Sequence, residues 1–226
     1  MGIFAISDLH LSFGANKPMN IFRGWDNYTD RIRANWNRMV KSSDTVILPG
    51  DLSWALKIED ALLDFEFLEK LPGTKIILKG NHDLWWPTMT KLNDFLDKND
   101  FKTIKPLFNN AIIAENYAVC GTRGWFFDSE DKNAKIISRE AARLETSIKE
   151  GIKTGKELLV FLHYPPAYSG QACSEMLYVL KKYEIERVFY GHIHGAGCHN
   201  AIDRFDGIKL NLISCDCIDF TPFCIV

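Results

Sequence analysis

The 226-residue sequence predicts an α/β fold, and two patterns carry that prediction. Short apolar runs rich in β-forming residues alternate with segments whose apolar residues recur at helical spacing. Such alternation is typical of parallel strands joined by helical crossovers. Apolar residues make up 46% of the chain and charged residues 25%, as in globular proteins. Because no linker, repeat or low-complexity tract divides the chain, we expect a single domain over residues 1–226.

Five apolar runs indicate buried strands, and four apolar stripes indicate helices between them. The strands are expected at residues 3–6, 46–48, 76–78, 158–162 and 188–190. The stripes have the spacing of one buried helix face; they comprise Tyr28, Ile32, Trp36 and Met39; Ala61, Phe65 and Leu68; Leu92, Phe95 and Leu96; and Ile137, Ala141, Leu144 and Ile148.

Two regions indicate antiparallel pairing beside the parallel strands. The runs 111–114 and 117–120 are separated by Glu115-Asn116, as in a hairpin. A second hairpin is expected between Ile208 and Ser214. The sheets are therefore predicted to be mixed.

The charge and hydropathy of the chain exclude some classes of partner. A formal net charge of −2 argues against a protein that coats nucleic acid or an anionic membrane by bulk electrostatics. No apolar run approaches the roughly 18 residues of a membrane span. The N-terminal residues resemble no leader peptide, because the apolar start runs directly into Asp8. We expect a cytoplasmic protein whose sequence leaves its oligomeric state open.

Six cysteines are spread along the chain without the spacing of a zinc site or a disulfide scaffold. We expect reduced and mostly buried thiols. A metal site at Cys215 and Cys217 with Cys198 and His199 is the alternative. The six are Cys120, Cys173, Cys198, Cys215, Cys217 and Cys224.

Residues that can bind metal follow each of the five predicted strands. The carboxyl ends of parallel strands meet at one edge of a sheet, where ligands bind. We therefore expect these side chains to converge, leaving His199 as the one histidine outside the set. They are Asp8 and His10; Asp51; Asn81, His82 and Asp83; His163; and His192 and His194.

The spacing of these residues suits a metal centre. Residues two apart on extended backbone point the same way, which pairs Asp8 with His10 and His192 with His194. Glycines precede three of the segments, at positions where close backbone approach is easiest. Imidazole, carboxylate and amide ligands fit Zn²⁺, Mn²⁺ or iron better than Ca²⁺ or Mg²⁺. The number of ligands fits two divalent ions.

The complete set resembles the motifs of the calcineurin-like metallophosphoesterases over about 190 residues. The resemblance implies a four-layer αββα sandwich, the metallophosphatase fold, with two central mixed β-sheets. It also implies a hydrolase that cleaves a small phosphoester by in-line attack of a hydroxide bridging two ions. A narrower resemblance, to a bacterial branch of phosphohydrolases, rests on Trp85-Trp86, Gly121-Thr122-Arg123-Gly124-Trp125 and His163-Tyr164-Pro165-Pro166.

The resemblance assigns a role to each motif residue. His82 would assist the leaving group as general acid, and Asp83 would orient its ring. Asn81 would contact the substrate. The resemblance assigns no role to Arg123, which we expect to be an ordinary surface arginine; a substrate contact, in which its guanidinium binds two phosphate oxygens, is the alternative. The implied metal ligands are Asp8, His10 and His194 for one ion, Asn81, His163 and His192 for the other, and Asp51 between them.

Other functions stay open at this point. A protein Ser/Thr phosphatase is disfavoured because Asp51-Leu52-Ser53 replaces the Asp-Arg-Gly element of such enzymes. A metal-binding scaffold for protein partners is disfavoured because His82 is retained. A P-loop at residues 151–156 fails because the segment precedes a strand. The tryptophans could line the site or belong to the core; they are Trp25, Trp54, Trp85, Trp86 and Trp125.

Overall fold

The computed structural model describes residues 1–125 and 134–226. The first half of the chain alternates strands and helices. Its elements are β1 (Ile3–Ala5), α1 (Tyr28–Met39), β2 (Thr45–Leu48), α2 (Leu62–Lys70), β3 (Thr74–Ile77), α3 (Met89–Lys98) and β4 (Ile104–Pro106).

The second half contains more strands and two further helices. Its elements are β5 (Ile112–Ala114), β6 (Tyr117–Thr122), α4 (Ala134–Ile152), β7 (Glu157–Leu162), β8 (Ala167–Tyr168), β9 (Gln171–Ala172), α5 (Ser174–Lys182), β10 (Arg187–Tyr190), β11 (Arg204–Phe205), β12 (Ile208–Leu212) and β13 (Phe223–Cys224). Short 3₁₀ helices occupy Met19–Ile21, Ile58–Ala61, Gly195–Asn200 and Cys215–Ile218.

Two large sheets organise these strands. The first has the order β13-β1-β2-β3-β4 and is parallel except at β13. The second has the order β11-β12-β10-β7-β6-β5, with antiparallel strands at both edges. Both sheets are mixed, as the sequence predicts. A separate two-stranded sheet joins β8 and β9.

Three apolar clusters lie between four layers. One packs α1, α2 and α3 on the first sheet, and another packs α4 and α5 on the second. The third lies between the sheets and includes Ile47 and Phe161. Alternate residues of each strand face opposite clusters, as in Val46 and Ile47. This arrangement confirms the αββα sandwich.

Most expected elements are confirmed, and one hairpin is misplaced. All five buried strands form, and 111–114 pairs with 117–120 through Ala114 opposite Tyr117. Residues 208–214 do not form a hairpin, because Ile208–Leu212 is a single strand. Its hairpin partner is β11, across Asp206-Gly207. Both turn residues have positive φ, the conformation that favours an Asp-Gly turn.

The carboxyl ends of the two sheets are joined by backbone hydrogen bonds. The N–H of Ser7 donates to the Ile213 carbonyl at 2.8 Å, and the N–H of Cys215 donates to the Ser7 carbonyl at 2.9 Å. The segments that follow β1 and β12 therefore lie side by side. This brings the ligand candidates of both sheets to one edge.

The expectation of six reduced thiols is wrong for two cysteines. Cys198 and Cys217 form a disulfide that joins the 3₁₀ helices Gly195–Asn200 and Cys215–Ile218. The two cysteines lie 19 residues apart in sequence and meet only in the fold. Of the free thiols, Cys120, Cys173 and Cys215 are buried and Cys224 is exposed.

In the described parts of the chain, no helix is long and apolar enough to cross a bilayer.

Candidate metal centre

The backbone is strained where it presents the ligand candidates. Asp8, His10, Asp51 and His192 have φ values of 61°, 45°, 52° and 70°. Residues other than glycine seldom adopt this left-handed conformation, and such strain is concentrated at functional sites. Each of these residues follows a buried strand, so the surrounding sheet can hold the unfavourable conformation.

Two glycines allow the ligand-bearing segments to approach each other. A Cβ on Gly80 would lie 2.1 Å from Oδ1 of Asp51, and a Cβ on Gly191 would lie 2.2 Å from Oδ2 of Asp8. No side chain fits at these distances. The glycines before the motifs are therefore required by close approach, as the sequence predicts.

Asp8, His10 and His194 form the first group of ligand atoms. One ligand atom from each lies within 4.8 Å of the others. Nε2 of His194 is 3.3 Å from Nε2 of His10 and 3.4 Å from Oδ1 of Asp8. The structure brings together the three residues expected at the first ion.

The second group is built around Asp51 and His163. Nε2 of His163 lies 3.5 Å from Oδ2 of Asp51 and 2.6 Å from Oδ1 of Asn81. Nδ1 of His192 lies 3.0 Å from the same Asn81 oxygen. A carboxylate oxygen of Asp8 also lies within 4.8 Å of ligand atoms of Asp51 and His163. The two groups are therefore adjacent, and Asp8 is close to both.

The centre buries more negative charge than its own cations balance. Asp8, Asp51 and Asp83 are each at most 1% exposed. Burial lowers the pKa of both His10 and His163 to about 3, so these rings are neutral at pH 7. Burial, Asp83 and Asp8 hold the pKa of Asp51 well above its usual range. Uncompensated buried carboxylates are costly, and bound cations would offset that cost.

The hydrogen bonds of His163 indicate where a cation fits. Its Nδ1 lies 3.1 Å from the Pro49 carbonyl and must donate to it. Nε2 of the neutral ring therefore carries a lone pair, which faces the Asp51 carboxylate. Two acceptors at this distance repel each other unless a proton or a metal ion lies between them. The donor set and its charge thus fit divalent metal ions.

Asp216 is a residue of this site that the sequence analysis missed. Oδ1 of Asp216 lies 2.8 Å from Nδ1 of His194, and Oδ2 accepts the N–H of Gly195 at 2.8 Å. Burial would lower the pKa of His194, but hydrogen bonds with Asp216 and Asp8 raise it to about 10. Such carboxylate–histidine pairs orient metal ligands. Its position between Cys215 and Cys217 is the local signal that could have indicated it, because that segment was considered only as a source of thiolate ligands.

Asp83 does not orient His82 in the way that the resemblance implies. Its Oδ2 accepts N–H groups of Asp51 and Gly80 at 2.8 and 2.7 Å. Its Oδ1 accepts the N–H of Leu52 at 2.9 Å, that of Ser53 at 3.3 Å and the indole N–H of Trp85 at 2.9 Å. Five donors occupy both oxygens. Asp83 therefore fixes the backbone that presents Asp51 and Asn81.

His82 lies at the solvent side of the cluster. Its ring is 4.5 Å from the Trp54 ring and 5.7 Å from the His10 ring, measured between centroids. Its backbone N–H donates to Oδ1 of Asp51 at 2.8 Å. Partial burial and the nearby His192 lower the pKa of its imidazole. A side chain at this position can reach a molecule that enters from solvent.

Arg123 is not an ordinary surface arginine. Its side chain is 20% exposed, and Nη2 lies 3.8 Å from Oε1 of the fully buried Glu140. Its backbone carbonyl accepts the N–H of His163 at 3.1 Å.

Some tryptophans lie at the candidate site and others lie in the core. Trp25 and Trp54 flank the His10 ring, whereas Trp85 and Trp86 are buried under α2 and α3.

The sequence matches a known family over most of its length. The family described as calcineurin-like phosphoesterase matches residues 1–196. The chain belongs to this family. Members of this family are described as phosphoesterases, and membership implies divalent metal ions. The resemblance seen in the motifs is thereby confirmed.

A curated relative of this calcineurin-like phosphoesterase comes from Fibrobacter succinogenes and is called a probable cyclic nucleotide phosphodiesterase. It is 27% identical over 171 residues. The match covers 69% of this chain and 59% of the relative, so the chain matches less than two thirds of that protein's length.

Two solved structures share the fold of this phosphoesterase. A protein from Thermus thermophilus has a TM-score of 0.60 at 13% identity, covering 98% of this chain and 96% of its own. A protein of unknown function from Aquifex aeolicus has a TM-score of 0.53 at 18% identity, covering 99% and 95%. At these identities the likeness concerns the fold alone.

Proposed function

We propose that the protein is a dinuclear-metal phosphoesterase acting on a phosphodiester or phosphomonoester of a small molecule or nucleotide. The observation that carries this proposal is the convergence of the predicted ligands at the carboxyl ends of both sheets. Buried carboxylates and neutral imidazoles face one another there without enough cations of their own. The sequence match to the phosphoesterase family supports the same chemistry.

Seven residues would hold two ions of Mn²⁺, Zn²⁺ or iron. Such ions, when bound, neutralise phosphoryl oxygens and supply a water of lowered pKa for in-line attack. Asp51 is suited to lie between them because its carboxylate is near both His10 and His163, at 3.8 and 3.5 Å. The proposed ligands are Asp8, His10 and His194; Asn81, His163 and His192; and Asp51.

The chain's own residues would bind the substrate and move one proton. His82, at the solvent side, would donate a proton from its imidazolium to the leaving oxygen. Assistance of this kind contributes about 10²–10⁴ in rate. Asn81 and the guanidinium of Arg123 would contact phosphoryl oxygens, since an arginine can grip two at once.

Residues 1–226 would form a single domain around this centre. The apolar cluster between the sheets and the pairing of Ser7 with Ser214 support that proposal.

The presence of His82 favours catalysis over a role as a metal-binding scaffold for protein partners. The name of the Fibrobacter relative makes cyclic nucleotides one class of phosphodiester to test.

The test is hydrolysis of bis(p-nitrophenyl) phosphate by metal-stripped protein reconstituted with Mn²⁺, Zn²⁺ or Fe²⁺. We expect turnover that depends on added metal and is lost in His192→Ala. His199→Ala is the matched control, because His199 is exposed and lies outside the ligand set. Absence of turnover on this diester, on p-nitrophenyl phosphate and on cyclic nucleotides with every ion would overturn the proposal.

A further inference from the structure

A cavity of about 560 Å³ is lined by residues of the segments that follow β3 and β6 and by residues of α3 and α4. Residues from both halves of the chain line it: Lys79 after β3, Thr88 and Met89 at the start of α3, and Arg139 and Arg143 on α4. Its volume lies within the range of small-molecule sites. The family resemblance assigns no role to this cavity.

The cavity concentrates positive charge in a chain whose net charge is −2. Four cationic side chains line it, namely Lys79, Arg123, Arg139 and Arg143. The only carboxylate among its lining residues in the described ranges is Glu140, so three positive charges remain in excess. Like charges are brought together at a cost, and a bound anion would offset it.

Glu140 holds the guanidinium groups in place. It is fully buried, and its Oε1 lies 2.7 Å from Nη1 of Arg143 and 3.8 Å from both Arg123 and Arg139. Its Oε2 accepts the hydroxyl of Thr122 at 2.8 Å. A single carboxylate cannot neutralise three arginines, but it can fix their positions. The result is a preorganised set of donors for a planar or tetrahedral oxyanion.

Two further features favour an anion. Nε of Arg123 is buried, and within residues 1–125 and 134–226 it has no hydrogen-bond partner. Buried donors without a partner are rare in folded proteins and indicate a missing acceptor. The ten-residue helix α3 also begins at this cavity, and a helix N-terminus carries partial positive charge.

The cavity is joined to the candidate metal centre by two short stretches of backbone. Lys79 precedes the proposed ligand Asn81 by two residues. The backbone carbonyl of Arg123 accepts the backbone N–H of His163, another proposed ligand. A substrate could therefore place one phosphoester at the centre and a second group in the cavity.

We propose that this cavity binds a second phosphate group of the substrate, so that the preferred substrate carries two phosphates. The proposal rests on the proposed function, because it assumes that the first phosphate is cleaved at the metal centre. Arg139 and Arg143 then determine specificity. The apolar side chains of Met89, Leu107 and Phe108 in the cavity wall would contact the uncharged body between the two phosphates.

A pair of chromogenic diesters tests the proposal. Thymidine 5′-(p-nitrophenyl phosphate) and its 3′-phosphorylated form release the same leaving group and differ only in the second phosphate. We expect kcat/KM to be about tenfold higher for the 3′-phosphorylated form. Arg139→Gln should remove that preference and leave kcat/KM for the other diester unchanged.

Arg139 is suitable because its side chain is 55% exposed, and Glu140 keeps Arg143 and Thr122 as partners in its absence. Lys149→Gln is the matched control; this lysine pairs with Glu145 on the same helix and does not line the cavity. Equal kcat/KM for the two diesters, or an equal effect of Arg139→Gln on both, would overturn the proposal.

A binding measurement separates this proposal from the proposed function. Protein stripped with EDTA and dialysed is titrated calorimetrically with pyrophosphate, which the carboxylates of the metal-free centre disfavour. We expect binding that is at least tenfold weaker in Arg139→Gln and unchanged in Lys149→Gln. Loss of turnover on both diesters with this binding intact would contradict the proposed function alone. Absence of binding, or equal binding by Arg139→Gln, would contradict the cavity as an anion site.

Discussion

Oδ1 of Asp216 lies 2.8 Å from Nδ1 of His194 and thereby connects the segment after β12 to the candidate metal centre. The bond fixes which ring nitrogen of His194 faces Asp8 and His10. Because Oδ2 also accepts the N–H of Gly195, Asp216 holds both the side chain of His194 and the backbone that follows it. Asp216 is therefore suited to position the proposed ligand His194.

Asp216→Asn should weaken metal binding without unfolding the protein. Loss of such a partner typically costs 10–100-fold in metal affinity or activity. We expect the Kd for Mn²⁺, measured by calorimetry, to rise by that factor. Asp203→Asn is the control, because Asp203 is exposed and lies in the same part of the chain. An unchanged Kd in Asp216→Asn would remove its proposed role.

Asp83→Asn should affect the fold as well as the centre. Its carboxylate accepts hydrogen bonds from four backbone N–H groups and one indole. An amide in its place turns one acceptor into a donor that faces other donors. Each unsatisfied buried group costs about 1–3 kcal/mol, so we expect a lower Tm and loss of bound metal together. A normal Tm with a defect in rate alone would restore Asp83 as a partner of the His82 ring.

His82→Ala should keep the metal and lose rate. The side chain lies at the solvent side and is not among the proposed ligands. We expect kcat to fall about 10²–10⁴-fold for a substrate with a poor leaving group and less for p-nitrophenyl esters, whose leaving group needs little protonation. Metal content and kcat are measured on the same preparation. Full activity on the poor leaving group would exclude the role of His82 as an acid.

Thiol titration tests the disulfide. Protein unfolded without reductant should expose four reactive thiols, and reduction should raise the number to six. Cys198→Ser should leave five cysteines, all reactive, because Cys217 would lose its partner. Six reactive thiols before reduction would restore the expectation of wholly reduced cysteines.

The strands and the polar residues that follow them could be predicted because both signals are local. For example, the apolar run 46–48 and Gly50 both lie within five residues of Asp51 and indicate its position after a strand. Contacts between residues far apart in the sequence leave no local pattern, so they could not be predicted. Asp216 meets His194 across 22 residues, and Cys198 meets Cys217 only after β12 is placed. The resemblance implied that Asp83 orients the ring of His82, yet the Asp83 carboxylate accepts hydrogen bonds from backbone donors and the Trp85 indole.

Two other features have a local signal in the sequence. Asp206-Gly207 marks the true second hairpin, since this dipeptide is a strong turn signal. Helix α5 carries Met176, Leu177 and Leu180 at helical spacing. The cationic cavity, in contrast, could not be seen locally. Its arginines come from the segment after β6 and from α4, and Lys79 comes from the segment after β3 of the other sheet.

The metal content of the purified protein tests the central claim most directly. Protein reconstituted with Mn²⁺, freed of excess ion and measured by inductively coupled plasma mass spectrometry, should hold two ions per chain. Asp51→Ala should hold fewer than one, and His199→Ala should still hold two. A wild-type chain that retains no ion above background, or an Asp51→Ala variant that retains both, would contradict the account.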